Sequence, residues 1–478
     1  MNIAGAILLG LTLAYACLQR AGVVANEWNL CVLAVGVIAA AHFLIPRRRI
    51  PRTDHMLTVC IAIVLAVAAA QLAPLPLGLI RVLSPARFNL IRAAAPVAGG
   101  MPQFARLSAV PYASAEALLG LGAYILVFLL VRELALRLHR YPWALAWPLI
   151  VVAVLEALIG FLQAYGQGGA QATGTYNSRD HYAGLLEMVL PFAAMYAVAI
   201  LRRGQRPGGL SAIAALQACG MMVAAALLLA GIVFAISRMG FFCALAGLLV
   251  AGLLTLSVRG WRDDDDPRPL WRRALPAAIV VAVILAGVFI LPSAALVSRF
   301  SELAHTDDIT ADTRAQLWRD TVPLIKDYPW LGCGFGAYES CFYRYKTVAP
   351  MSTADYAHND YLQVLAELGV IAFAAGIAFV LRILLGAGRN VLYAHSIDER
   401  CRSIACVAAI TAMLLHSVVD FNMYVPANAM VFAWILGIAS VALARRSASA
   451  AREPSPLPGS EAWAAAGAGP LRRNAMRE

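Results

Sequence analysis

Charge is scarce in this sequence. Only 14% of its 478 residues are Asp, Glu, Lys or Arg, and 61% are hydrophobic, whereas a soluble domain is about a quarter charged and about half apolar. That shortage excludes a soluble globular enzyme, a disordered chain and a coiled coil. Period-two alternation is also lacking. The apolar runs are continuous, which excludes a membrane β-barrel, whose strands alternate apolar and polar residues. There is no CxxC pair, no His pair at zinc-ligand spacing, no nucleotide-binding pattern in the short loops and no internal repeat. Most of the nine cysteines lie in or beside apolar runs, where they act as small apolar residues. Only Cys333 and Cys341 sit in a long polar loop; a disulfide between them could form there, and the spacing alone leaves that open.

What is present is a series of apolar runs long enough to cross a bilayer. We read about 12 spans: 3–19, 28–45, 56–73, 114–131, 143–165, 182–201, 210–236, 239–257, 274–292, 359–385, 403–422 and 426–444. Each holds enough mostly apolar residues to cover about 30 Å of hydrocarbon as a helix, and in lipid the backbone must pair internally, so helices are required. The expected fold is therefore all-α, a polytopic transmembrane helical bundle. The first span lacks a basic segment before it and a small-residue cleavage site after it, so it reads as a retained helix and not a signal peptide. The segment after Arg446, rich in Ala, Ser, Gly and Pro, reads as a disordered tail.

The basic residues set an orientation. Lys+Arg 38 exceed Asp+Glu 27; in a soluble protein that excess would suggest nucleic acid, but here it collects in loops on one side and no nucleic-acid partner is expected. With the N-terminus in the cytoplasm, 25 basic residues fall on the cytoplasmic side and 7 on the other, leaving out the long loop. Both termini are expected in the cytoplasm, with large outer loops at about 74–113 and 293–358. The run Asp263 to Asp266 reads as a solvated cytoplasmic loop.

Polar residues at the ends of spans carry the functional information. Four clusters share the outer face: Gly174 to His181, Ser237-Arg238-Met239-Gly240, Asp312 to Arg319, and His358 to Gln363. Arg238 sits in a tight turn with no carboxylate nearby in sequence. Its partner must be a distant carboxylate, such as Glu156 or Asp420, or a bound anion, and a guanidinium suits bidentate phosphate contact. Arg314 is a second such candidate, with Trp318 one turn later on the same face. His358 opens a span, where the helix dipole disfavours imidazolium and keeps a base available; Asn359 or Asp360 could orient it. Gly332, Gly334 and Gly336 read as a turn. Tyr338, Phe342, Tyr343 and Tyr345 could stack on sugar rings or pack the loop on itself. Asp307, Asp308 and Asp312 only loosely suggest a metal box; no metal or cofactor is expected.

Five motifs in order carry a resemblance. They are Gly174-Thr175-Tyr176-Asn177 through His181-Tyr182-Ala183-Gly184; Ser237-Arg238-x-Gly240; Thr313-Arg314-x-x-Leu317-Trp318 with Pro329-x-Leu331-Gly332-x-Gly334-x-Gly336; His358-Asn359-x-Tyr361-Leu362-Gln363-x-x-x-Glu367-x-Gly369; and His416-Ser417-x-x-Asp420-Phe421-Asn422. Together they resemble the O-antigen ligase and polymerase family of bacterial inner membranes over about residues 170–430. The first four spans show no assignable motif.

The resemblance implies about twelve spans with a large periplasmic loop before span ten, as in membrane-embedded glycosyltransferases of the GT-C type. It implies metal-independent, inverting transfer of a glycan from undecaprenyl diphosphate, at the periplasmic face of the inner membrane. The acceptor hydroxyl would lie on lipid A–core in a ligase, or on another lipid-linked repeat unit in a polysaccharide polymerase. Carried over by motif, Arg238 and Arg314 hold the diphosphate and His358 activates the acceptor. Arg179, His181, Asn177, Trp318, Asn359, Asp360 and Asp420 are expected to bind substrate. The implied division is 1–165 for N-terminal transmembrane helices, 166–430 for the ligase-like catalytic region, 431–446 for the end of the last span and 447–478 for the tail. A lipid-linked oligosaccharide flippase is the competing class, but it would show internal repeats and charges spread through the bilayer midplane.

Overall fold

A computed structural model describes residues 2–45, 52–166, 171–206, 209–257, 311–347, 354–394 and 396–450. The ninth expected span, 274–292, lies outside these residues, as do Asp263 to Asp266, Asp307, Asp308 and the tail after 450. The helices are α1 (Asn2–Leu18), α2 (Ala25–Leu44), α3 (His55–Leu72), α4 (Leu77–Leu83), α5 (Pro85–Ala94), α6 (Pro111–Arg137), α7 (Trp147–Gly166), α8 (Arg179–Gly204), α9 (Ala212–Ala235), α10 (Arg238–Ser257), α11 (Ala311–Asp327), α12 (Tyr338–Phe342), α13 (Asp360–Tyr393), α14 (Ile397–His416) and α15 (Pro426–Ala450). Two antiparallel pairs of two-residue strands are the strands among the described residues.

Nine of these helices are long and apolar enough to cross a membrane. α1 has only 17 residues, and α14 opens with Asp398, Glu399, Arg400 and Arg402. The protein is an all-α polytopic membrane protein. Leu33, Leu162, Ile213 and Leu216 expose 63 to 75% of their surface, as lipid-facing side chains do. The largest departure from the sequence reading is the span placed at 403–422. Its helix runs from 397 to 416 because Ser396 caps it, accepting from Glu399 N at 3.2 Å. Residues 417–425 form turns and a 3₁₀ segment at Asn422–Tyr424. Asp420 therefore lies in an irregular turn and not inside a helix.

α8 and α15 form the centre. α8 buries 89% of its apolar window and α15 all of it, against 28% for α2, α3 and α13. Small residues let the helices approach, since lipid offers no hydrophobic drive for helix association. One apolar core joins α1 to α3 and α6 to α10 with α13, α14 and α15, from Ala6 to Leu443.

The outer loop is a second small body. Leu317, Thr321, Leu324 and Tyr328 are buried at three- and four-residue spacing on α11 and its end. They pack with Tyr338, Phe342 and Ala366. Tyr338 stacks on Phe342 with centroids 5.0 Å apart, the Tyr338 and Thr321 hydroxyls pair at 2.7 Å, and the Tyr345 hydroxyl donates to Asp327 at 2.6 Å. These aromatics pack the loop on itself; Tyr343 alone of the four is exposed. Cys333 and Cys341 are free thiols here, lying side by side.

Gly332 has φ +70, and a Cβ there would strike the backbone of Glu367. α13 breaks at Gly369 (φ +73) where the Trp330 backbone crosses it. Only glycine tolerates both the backbone angle and the approach. Gln71 of α3 fastens the junction: its amide donates to the carbonyls of Leu331 at 2.5 Å and Glu367 at 2.7 Å, and accepts from Phe335 N at 2.8 Å. Glu367 accepts from Tyr338 N and the Tyr424 hydroxyl. The G-x-G-x-G run is a docking turn, as its sequence suggested.

Candidate active site

The four polar clusters meet at one end of the bundle and bond to one another. Ser237 Oγ donates to Asp180 Oδ1 at 2.5 Å. Arg314 Nη2 lies 3.9 Å from Asp180 Oδ2. Trp318 Nε1 donates to the carbonyls of Ala357 at 3.1 Å and His358 at 3.3 Å. The amide of Asp360 donates to the carbonyls of Ser417 and Asp420. Helix N-termini do most of the positioning: Ser178 caps α8, Ser237 Oγ accepts from Gly240 N at 3.1 Å, and Asn359 Oδ1 accepts from Leu362 N at 3.0 Å.

His358 sits at φ +47, a left-handed angle that non-glycine residues rarely hold. It is fixed from three sides: Trp318 grips its carbonyl, Gln363 accepts from the amide before it at 2.9 Å, and Asn359 Nδ2 donates to Val418 O at 2.7 Å. Its Nδ1 lies 3.3 Å from Asp420 Oδ1, and His181 Nε2 lies 3.8 Å from the same oxygen. Phe421 lies edge-on to both imidazoles, at 4.5 and 4.8 Å, and stacks on Tyr356 at 4.0 Å. Burial alone would push the Asp420 carboxyl up. The imidazoles of His181 and His358, with His416 nearby, outweigh it and hold the group well below the usual carboxylate range. Asp420 is thus a fixed anion, and its bond to Nδ1 leaves Nε2 of His358 with the lone pair.

The expectation that Asp360 orients His358 is corrected. Its carboxylate turns away and accepts from Met423 N at 3.2 and 3.3 Å, so it ties down the turn that carries Asp420. Asn359 acts on the backbone and not on the ring.

The arginines gather on the other side of Asp180. Arg238 and Arg314 both act electrostatically on Arg179, so three guanidiniums share one region. Arg238 is exposed, and among the described residues it makes no hydrogen bond or ion pair. Neither proposed carboxylate serves it. Glu156 accepts from Thr175 Oγ1 at 2.6 Å and Thr175 N at 2.9 Å, and Asp420 is taken by the histidines. The Nε of Arg314 is buried without a partner among the described residues. Three guanidiniums gathered beside Asp180 have the chemistry to meet a multiply charged anion.

The first cluster divides. Gly174 and Thr175 close over Glu156, and the Tyr176 hydroxyl donates to Asn428 at 3.0 Å, which donates in turn to His181 O at 2.8 Å and to Asn422 at 2.9 Å. These residues are scaffold, while Asn177 is exposed on the loop. Behind the site, His416 Nδ1 meets Glu187 Oε1 at 3.0 Å, both fully buried. With Cys243 they bring three ligand-type atoms within 4.8 Å. A scan of sequence spacing misses this group because three separate helices supply it. Glu187, Gln71 and Asn428 were also missed. Their signal was simple: each is a polar residue inside an apolar run.

Fold and site together describe a membrane-embedded protein with a cluster of arginines beside an imidazole bonded to a buried carboxylate. Residues 223–377 match the family model described as O-Antigen ligase, the family that the motifs resemble. The family implies a glycosyl-transferring enzyme of the ligase or polymerase type, working in a membrane with a lipid-linked glycan donor and a glycan acceptor. Arg238, Arg314 and His358 lie inside the matched region; Arg179, His181 and Asp420 lie outside it. No curated protein matches the chain.

Proposed function

We propose that the protein transfers a glycan from undecaprenyl diphosphate to a hydroxyl of a lipid-anchored glycan acceptor at the periplasmic face of the bacterial inner membrane, with both termini cytoplasmic. The observation that carries this reading is the pairing of His358 with Asp420 on the same face as the Arg179–Arg238–Arg314 group. His358 Nε2 takes the proton of the acceptor hydroxyl as its oxygen attacks the anomeric carbon. The bond from that carbon to the diphosphate breaks, and the diphosphate departs with the electron pair, so the anomeric centre inverts. Asp420 stabilises the imidazolium that forms. Arg238 and Arg314, aided by Arg179, meet charge that grows on the leaving group, a contribution of roughly 3 kcal/mol or more per guanidinium by analogy with oxyanion donors. His181 shares Asp420, Trp318 holds the His358 backbone, and Asn177 lies on the adjoining loop near the donor region. Ligase and polymerase share this chemistry and differ in the acceptor.

The test is glycan transfer in reconstituted membranes with donor binding followed separately. His358→Ala should lower turnover by about 10²–10⁴-fold while donor still binds. Arg238→Lys keeps charge but loses the planar fork and should be partly active, with Arg238→Ala far worse. Transfer at the normal rate by His358→Ala would refute the assignment.

A further inference from the structure

At the end of the bundle opposite His358, a groove of about 690 Å³ runs between α1, α7 and the turn joining α6 to α7. Its walls are apolar, with Ile7 and Leu11 on one side and Val151 on the other. Along α1 it reaches from Ile3 to Ala14, about 16 Å at ~1.5 Å per residue. That is half of a hydrocarbon core of about 30 Å, the depth of a single leaflet. The floor at the mouth is aromatic: Trp143 stacks on Tyr196 at 4.5 Å, and Trp147 meets Tyr196 edge-on at 5.8 Å. Tyr141 and Trp147 are 63% and 42% exposed, as interfacial aromatics are.

The mouth is cationic. Asp398 accepts from Trp143 Nε1 at 2.7 Å and pairs with Arg203 at 3.2 Å, so its charge is matched. Arg140 is exposed at the rim, and no carboxylate pairs with it among the described residues. The helices packed at this end add Arg137, Arg202, Arg400 and Arg402 against Glu133 and Glu399. A long apolar slot of leaflet depth with surplus positive charge at its wet end matches an acyl chain below an anionic headgroup.

We propose that this groove binds one anionic phospholipid of the leaflet opposite the active site, with its phosphate at Arg140 and an acyl chain along α1. The site is independent of the transfer reaction and needs no glycan substrate to be observed. The experiment reconstitutes the full chain in nanodiscs of phosphatidylcholine with a minor fraction of phosphatidylglycerol, then counts retained lipids by native mass spectrometry after release into mild detergent. One phosphatidylglycerol should be held in preference to phosphatidylcholine. Arg140→Gln should lower that preference about fivefold, from roughly one basic residue's attraction to an anionic headgroup. Val151→Trp, which fills the slot but keeps it apolar, should abolish retention. Both positions are exposed, so neither change strains the fold, and the lipid preference of the unaltered protein is a test in itself. Equal retention of the two lipids, indifference to Arg140→Gln, or a dimer that covers the groove would overturn the proposal.

Discussion

Asp420→Asn is the sharpest test of the site. The substitution is nearly isosteric and removes only the charge. Asp420 is buried, with its Oδ1 3.3 Å from His358 Nδ1, 3.8 Å from His181 Nε2 and 2.9 Å from Phe421 N. When His358 takes a proton, an imidazolium forms against this carboxylate. At 3.3 Å and an effective dielectric constant of about 20, the attraction is about 5 kcal/mol, between three and four decades of rate. Asparagine also leaves the ring free to adopt the other tautomer, which costs about 10⁴ where an Asp orients a catalytic His. A loss of about 10³-fold in turnover with donor binding intact is therefore expected. Asp360→Asn is the control. It keeps an oxygen to accept from Met423 N and should stay within about tenfold of the native rate, since Asp360 does not touch the ring. Transfer from lipid-linked donor in reconstituted membranes reads both. Near-native turnover in Asp420→Asn, with a loss of three decades in Asp360→Asn, would refute the geometry. The pH dependence has a definite sign. A carboxyl held below its ordinary value stabilises the fold fully above about pH 4, and that contribution fades as pH falls through the lower folded value. Thermal stability of the native protein should therefore drop more steeply below about pH 4 than that of Asp420→Asn.

Trp318→Phe removes the N–H that holds the carbonyls of Ala357 and His358 and frees a backbone angle that costs about 1–3 kcal/mol to maintain; turnover should fall about tenfold with donor affinity unchanged, and native turnover would remove Trp318 from the positioning of His358. Gln71→Leu strands the Leu331 carbonyl and the Phe335 N–H at the loop junction and leaves the Glu367 carbonyl to Gly334 N; it should destabilise the protein by about 2–4 kcal/mol, read as a lower thermal midpoint in detergent, and an unchanged midpoint would show that the junction holds without it. Alkaline phosphatase fused after residue 310 should be active and after residue 266 inactive, and the reverse pattern would invert the orientation.

The all-α class and the placement of most apolar helices among the described residues were legible because a span must be long, apolar and continuous, and few alternatives meet that demand. Where a helix tolerates charge the reading slipped, as at α14, whose charged start hid six residues of helix, 397–402, and pushed Asp420 into it. That the arginines and His358 share one end of the bundle was legible, because polar residues at span ends mark the membrane face. The partner of His358 was not. Asp420 is 62 residues away from it in sequence, and Asp360 is two residues on; proximity in sequence favoured the wrong carboxylate, because a residue at the first turn of a helix points along a direction that the chain order does not reveal. Gln71 illustrates a different limit. A single amide in an apolar run announces a need for partners, but the partners lie 260 and more residues further on, and only the docked loop supplies them.

Arg314 and Trp318 ride a single turn of α11, so the cation beside Asp180 and the donor to the His358 carbonyl share one handle. A shift of that helix would withdraw a guanidinium from the anion site and release the His358 backbone in the same movement. In the proposed reaction, the contact by which Trp318 holds the base and the cation offered to the leaving group are therefore set by the same turn. For a donor whose bond is also open to water, such sharing would favour transfer over waste: on the proposed reading, the seating of the loop on α13 by Gln71, Gly332 and Gly369 positions both parts at once.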